Sequence, residues 1–447
     1  MSSTIPPEHI PPGMKAVHVG VPFLPATMEA LSDLGCKRAF VLTNKSSLRF
    51  IVGGDDDCVI GDDDDVGGSY PSSTSSSFVD ALRDAGLLAA PVCYSVGMGG
   101  NESGLLEACD DASRARADVV ITIGGGAIQD AGKLVRLWLS RKKGGGEEGG
   151  EENEEDDDDD DDDEEGASVR AILALSNREP MPTLVPQIAL PNSFAMAEAT
   201  SVAGLTTSSN VKSGASHPSL LPTIVIYDHA LSVGLPDWVR YGTALRGVEH
   251  AVGAITHPNA NEEIRSRAGL GLSIIRDNLR GLVTQPECPV AQCNIYVGGF
   301  IAVRALMTGC YPALGHLIEN QYSARFGIHQ GSCSGILCAR IMDYHRGGSK
   351  EHQMRISAAL GGEVVLDDDG GVVTASTPAP RLVRDLVSTL PGVFNEHDQA
   401  NVTDDMLMEF AQSLFDNHIQ RLNVLSPRSF HSVEDIYGML TKPLADL

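Results

Sequence analysis

Three consecutive glycines, Gly124, Gly125 and Gly126, stand where the apolar run 118–123 gives way to a helical pattern. Glycine clears side chains from such a turn, so a diphosphate can approach backbone N–H groups. The start of the helix adds unpaired donors and a partial positive charge. The same residues also suit a tight turn that binds nothing, and both readings stand. Further along, Arg246 and His250 are four apart in a helical pattern, which places both on one face. His316 lies in another helical stretch, and an imidazole with an ordinary pKa of about 6.5 suits general acid work. A core histidine capped by a carbonyl is the plainer alternative. Cys333 and Cys338 read as buried thiols rather than nucleophiles. His18, His229, His345, His352, His397, His418 and His431 show no converging pattern, and His257, before Pro258, marks a helix end.

The elements that must hold these residues fall into two kinds. Up to about residue 235, short β-branched runs alternate with helical patterns, the signature of a parallel α/β sheet. Strands are expected at 39–43, 91–96, 118–123, 187–190 and 223–227. Beyond residue 236 the period changes to 3.6, predicting helices at 241–255, 259–282, 292–321, 331–345 and 350–360. A loop at 361–371 and further helices follow. The fold class is therefore α/β, an N-terminal parallel-sheet domain (1–235) followed by an all-helical domain (236–447).

Charge narrows the function. Of a formal net charge of −27, sixteen acids lie within 144–166 and seven more at Asp55–Asp57 and Asp62–Asp65. The rest of the chain is near balance, which argues against a nucleic-acid partner. The acidic stretches, about 53–77 and 142–166, read as solvated insertions in the α/β half. Nine cysteines without a CxxC pair fit thiols in a reducing compartment. No run of eighteen apolar residues occurs, and the Pro-rich start lacks the pattern of a secretory signal. A cytoplasmic protein with no membrane partner is the expectation.

The glycine turn, with Asp130 six and Lys133 nine positions after its first glycine, resembles the cofactor loop of iron-containing alcohol dehydrogenases. Residues 191–200 resemble that family's PTTxxGSE segment, with Glu198 in register and Asn192, Ser193, Met196 and Ala197 in place of Thr, Thr, Gly and Ser. Lys212, Leu221-Pro222 and Tyr227-Asp228 resemble its K…LP…YDP passage, and Ser426-Pro427-Arg428 its NPR turn. The resemblance extends over nearly the whole chain outside the insertions and points to the maleylacetate-reductase-like branch. It implies a dehydroquinate synthase-like fold and an NAD(P)H cofactor on Gly124, Gly125, Gly126, Asp130, Lys133, Asn192, Ser193 and Asn44. An acid at the end of the first predicted strand would select NAD by bonding its ribose. Asn44 and Lys45 stand there instead, so NADP is not excluded.

The resemblance also locates the family's metal site. Its Asp and first His correspond to Arg246 and His250, its third ligand to Pro312 and its fourth to His329. Two histidines are too few for a catalytic iron or zinc, and the fixed charge of Arg246 opposes a dication. No metal is therefore expected. His316 matches the family histidine linked to proton transfer. Catalysis by His316, His250, His329 and Arg246 follows, with Arg246 as a fixed cation in the vacated position. The expected activity is a metal-independent reduction of an activated carbonyl or enone, with a carboxylate on the small-molecule substrate as one option. A non-redox lyase, dehydratase or cyclase using the histidines as acid and base is the alternative, and a silent binding protein the third reading. A homodimer is the assembly the resemblance implies.

Overall fold

The computed structural model describes residues 5–51, 77–97, 100–143, 168–178, 181, 183–208, 212–366 and 372–447. Apart from their borders, both expected acidic insertions lie outside the described residues. Five parallel strands form the main sheet: β1 (Ala16–Val19), β2 (Ala39–Thr43), β3 (Val119–Gly124), β4 (Gln187–Pro191) and β7 (Ile224–Tyr227), in the order β1-β7-β4-β3-β2. The middle strands are buried from end to end because both faces carry apolar side chains. Val41, Ile121 and Ile188 pack beneath helices α1 (Phe23–Leu34) and α2 (Phe78–Asp84). Phe40, Leu42 and Val120 pack on the opposite face with α3 (Glu102–Arg114), α4 (Gly126–Leu139) and α5 (Val169–Leu175).

The predicted strand at 91–96 does not form. Ala39 and Leu88, then Leu42 and Cys93, make isolated parallel bridges with β2. Pro91 has no N–H to offer between them, so the chain bulges past one ladder position. Strand β1 was not expected, because it is a short edge with only Val19 fully buried. The antiparallel hairpin of β5 (Val202–Thr206) and β6 (Lys212–Ser216) was also missed. Its small residues carry no run of β-branched side chains.

The helical half begins with α6 (Asp237–Thr256), followed by α7 (Glu262–Thr284), α8 (Pro289–Met307), α9 (Leu314–Phe326), α10 (Gln330–Tyr344) and α11 (Lys350–Ala359). The predicted helix at 292–321 is broken into α8 and α9. Gly309 has φ +84°, and Pro312, which cannot donate a hydrogen bond, follows it. The expected loop at 361–371 contains strand β8 (Val364–Leu366), which pairs with β9 (Val372–Ala375). Helices α12 (Ala379–Ser388), α13 (Asn395–Gln399), α14 (Asp404–Leu425) and α15 (Val433–Thr441) close the chain. Among the described helices, α8 alone is apolar and long enough to cross a membrane by composition, but 78% of that stretch is buried inside the protein.

Helix α6 is the axis of this half, with both apolar and charged residues buried on all sides. It crosses α10 at backbone contact: a Cβ on Gly331 would stand 2.4 Å from the Gly242 carbonyl carbon. The two halves join through a shared core in which Ala189, Val225 and Tyr227 of the sheet pack with α6, α7 and α8.

Lys133 on α4 ties the β5–β6 hairpin to the sheet. Its ammonium is fully buried and donates to Asp130 Oδ1 at 2.9 Å, Ala197 O at 2.7 Å, Thr200 Oγ1 at 3.1 Å and Val202 O at 2.6 Å. Removing one member of a buried charged set leaves the others without a partner, a loss of about 3–5 kcal/mol. Lys133→Met should lower stability by about that amount in urea denaturation, with hydrogen exchange rising first in 197–206. A change below about 1 kcal/mol would mean the clamp is not structural.

Candidate active site

The glycine turn is built from below by a buried polar network. Thr122 Oγ1 donates to Gln129 Oε1 at 2.6 Å, and Gln129 Nε2 donates to Gly124 O at 3.0 Å. Gln187 Nε2 completes it with bonds to Thr122 Oγ1 and Gln129 O. Gly124 has φ +156° and lies against Ile128, where a Cβ would come within 2.8 Å. Gly125 and Gly126 are half-buried, and no side chain caps the start of α4. A Cβ on Gly125 would stand 3.2 Å from Ser193 Oγ, and one on Gly126 would stand 3.4 Å from the Ala195 methyl. The turn is thus an open cradle that a side chain would fill, which fits a diphosphate group.

The expected cofactor residues divide into two groups around this cradle. Asn192 and Ser193 border it, and Asn192 Nδ2 donates to Ser47 Oγ at 2.8 Å. Asn44 caps the short 3-10 helix Lys45–Phe50 by accepting from Ser47 N, which fixes the loop after β2. Asp130 and Lys133 are engaged elsewhere. Asp130 accepts from Lys133 and from Gly204 N at 3.0 Å, and the Lys133 protons are committed to protein acceptors. Both tie the 197–204 segment to α4 through these bonds.

The second cluster lies on α6 and α9. Arg246 Nη1 donates to Glu319 Oε2 at 3.2 Å, and Nη2 lies 3.2 Å from His316 Nδ1 and 3.5 Å from His250 Nε2. All four residues are buried. A guanidinium can only donate, so His316 Nδ1 must offer its lone pair and carry its proton on Nε2. That nitrogen lies 3.2 Å from the Tyr311 hydroxyl. Ser334 Oγ donates to Glu319 Oε2 at 2.8 Å. Burial, then the charge of Arg246, holds His250 well below the usual imidazole range. Burial also lowers His316, while Glu249 opposes that shift. Burial, then Glu249, pushes the Glu319 carboxyl well above the usual range against the pull of Arg246.

A hydrogen bond ties the helix of this cluster to the segment beside the cradle. Phe194 N donates to Thr243 Oγ1 at 3.1 Å, three residues before Arg246 on the same face of α6. His329 is set apart from the other histidines. It caps α10 by accepting from Gly331 N at 3.1 Å, packs edge-on to Trp238, and donates its backbone N–H to Glu396. Pro312 lies in the break before α9, with Tyr311 beside it turned onto His316.

The sequence reading missed Glu249, Glu319 and Tyr311. A signal was present: charged residues inside a helix with no polar face demand buried partners. Glu319, one turn after His316, could have been found that way. Glu249, His250 and His316 bring three ligand atoms within 4.8 Å of one another, enough in number for a catalytic metal. Arg246 Nη2, however, sits against both imidazole nitrogens that would have to bind the ion and adds a permanent positive charge. With that residue in place the set does not fit a dication.

This fold, a parallel-sheet half joined to a helical half, is of a known two-part type. Residues 66–229 match the family model for iron-containing alcohol dehydrogenase. Maleylacetate reductase 1 of Rhodococcus opacus is 28% identical over 210 residues, 46% of this chain and 58% of that protein. The chain thus spans little more than half of that curated relative's length. The maleylacetate reductase structure from Rhizobium sp. strain MTP-10005 has a TM-score of 0.68 at 19% identity, covering 99% of this chain and 97% of that one. The NADH-dependent butanol dehydrogenase A of Thermotoga maritima has a TM-score of 0.66 at 16% identity, covering 96% and 97%. The chain is similar to iron-containing alcohol dehydrogenases over residues 66–229 and, over part of its length, to maleylacetate reductases.

Buried histidines give folding a pH dependence. Burial lowers His250 and His329, and takes His345 down to about 4. As the pH falls through about 6.5 the unfolded chain therefore takes up protons that the folded one refuses. Stability should be full above that pH and fall toward pH 4, by about 1.4 kcal/mol per pH unit for each histidine. Urea denaturation from pH 7.5 to 5 should show this slope, and a flat profile would exclude it. His345→Phe should remove about one proton from it.

Proposed function

We propose that the protein is a metal-independent, NAD(P)H-dependent reductase of an activated carbonyl or enone that carries a carboxylate. The observation that carries this reading is the Arg246 guanidinium, set between His250 and His316 where the family places a metal. A bound nicotinamide cofactor supplies the hydride. Gly124, Gly125 and Gly126 with the start of α4 would hold its diphosphate, and Asn192 and Ser193 would line the same cradle. Neither NAD nor NADP is favoured by a charged residue at Asn44.

The remaining work falls to the second cluster. Arg246 is a fixed cation that polarises the substrate oxygen, a role that an ion would otherwise fill. His316, with its Nε2 proton beside Tyr311, is placed to protonate the oxygen as hydride arrives. His250 shares Arg246 with it and fixes the guanidinium plane. The relatives named for maleylacetate make a carboxylate-bearing enone the first substrate to try.

Fluorescence titration should show NADH or NADPH binding, weakened at least about tenfold in Gly125→Val with the fold intact. Failure of both dinucleotides to bind would leave only the non-redox acid–base reading. Arg246→Ala should lower kcat/KM for maleylacetate by about 100-fold or more, and unchanged kinetics would discard its role. Metal analysis should find iron and zinc well below one equivalent, with activity surviving a chelator.

A further inference from the structure

We propose that Glu249 is the positioning residue that lets His316 carry its proton, and that a hydrated cavity behind it supports its carboxylate. The inference deepens the reading above and rests on it for the reaction. Glu249 is 2% exposed, and both carboxylate oxygens lack a hydrogen-bond partner. Oε2 lies 3.8 Å from His316 Nδ1 and 3.8 Å from His250 Nε2. The carboxylate lies in space left by glycine, since a Cβ on Gly315 would be 2.8 Å from Oε1. Two unpartnered buried oxygens would be costly without donors.

The cavity supplies them. Beside Glu249 lies a space of about 30 Å³, bordered by His257, Cys338, His345, Ser349 and Gln353. It has room for about two waters. Its polar wall is partly ordered, with Gln353 Nε2 donating to Ser349 Oγ at 3.1 Å. His345 is 4% exposed and has neither ring nitrogen partnered, so it offers water a second polar contact. Half-buried Leu425 and Pro427 border the cavity toward the surface.

The chemistry balances with one proton. In its resting state His316 Nδ1 accepts from Arg246. A small turn of the ring, from 3.2 Å to Arg246 Nη2 toward Glu249 Oε2, lets Nδ1 hold a solvent-derived proton against the carboxylate. The imidazolium then gives its Nε2 proton to the oxygen of the reduced carbonyl. This leaves neutral His316 with Nδ1–H against Glu249, and once product leaves Nε2 takes a proton from water as Nδ1 gives its own up, which restores the resting tautomer. The charged and titratable groups facing His316 are Arg246, Glu249 and His250 from α6, Glu319 from its own helix, and Tyr311. Of these, Arg246 opposes the imidazolium and Glu249 favours it.

The test is Glu249→Gln, which keeps the shape and removes the charge, with Gly315→Ala as a second variant that displaces the carboxylate. NMR titration of the 15N-labelled His316 ring needs no substrate. We expect its titration to move to lower pH in both variants, and less in Glu319→Gln. An unmoved titration, or an equal effect from Glu319→Gln, overturns the proposal. In turnover with NADPH and maleylacetate, Glu249→Gln should lower kcat at neutral pH by about 10- to 100-fold with KM little changed, and shift the acid limb of the profile. An unchanged profile in an active enzyme also overturns it. If the wild-type protein consumes no NADH or NADPH, the reductase reading fails, and the NMR result alone decides whether Glu249 holds the His316 proton.

Discussion

A guanidinium taken out of water must find its hydrogen bonds in the protein, and the helical half is organised around that requirement. Arg246 cannot lose its charge, so each group within reach has to adapt to it. Glu319 answers with a carboxylate oxygen, and His316 and His250 answer with ring lone pairs. Those commitments set the histidine tautomers and crowd out a dication. They also require α6 and α9 to stay in register. The glycine crossing of α6 and α10 brings Ser334 close enough to secure Glu319 from the other side.

The α/β half meets a parallel requirement with the opposite result. Here the buried cation, Lys133, is consumed by the protein, and the main-chain amides of the turn are left open. One half therefore spends a charge on architecture and keeps neutral dipoles for the ligand. The other half keeps its charge within the buried histidine cluster. The links between them include neutral hydrogen bonds from Phe194 to Thr243 and from Tyr296 to the Pro191 carbonyl, in a shared apolar core.

Much of this was legible in the residues. The strands 39–43 and 118–123 declare themselves because they are buried on both faces, and periodicity alone is enough for that. The change to helix near residue 236 was equally clear. Strand β1 and the 202–216 hairpin were not, since edge and small-residue strands draw their stability from neighbours distant in sequence. The break at 308–313 was written in Gly309 and Pro312 but masked by apolar spacing on both sides. At the site, Arg246, His250 and His316 could be named from spacing and resemblance. Glu249 could not be assigned, because its meaning depends on a cavity formed by α10, α11 and the 425–427 turn. The acceptors of Lys133 were not legible, because sequence does not show which groups a buried ammonium meets.

The bulge at Pro91 has a consequence for the chain's behaviour among its neighbours. A sheet border with a continuous row of amides and carbonyls invites another polypeptide to add a strand and begin aggregation. Beyond β2 the border is two separated bridges with a proline between them, and at the other margin β1 is four residues long. Both described margins of the sheet are therefore short or interrupted.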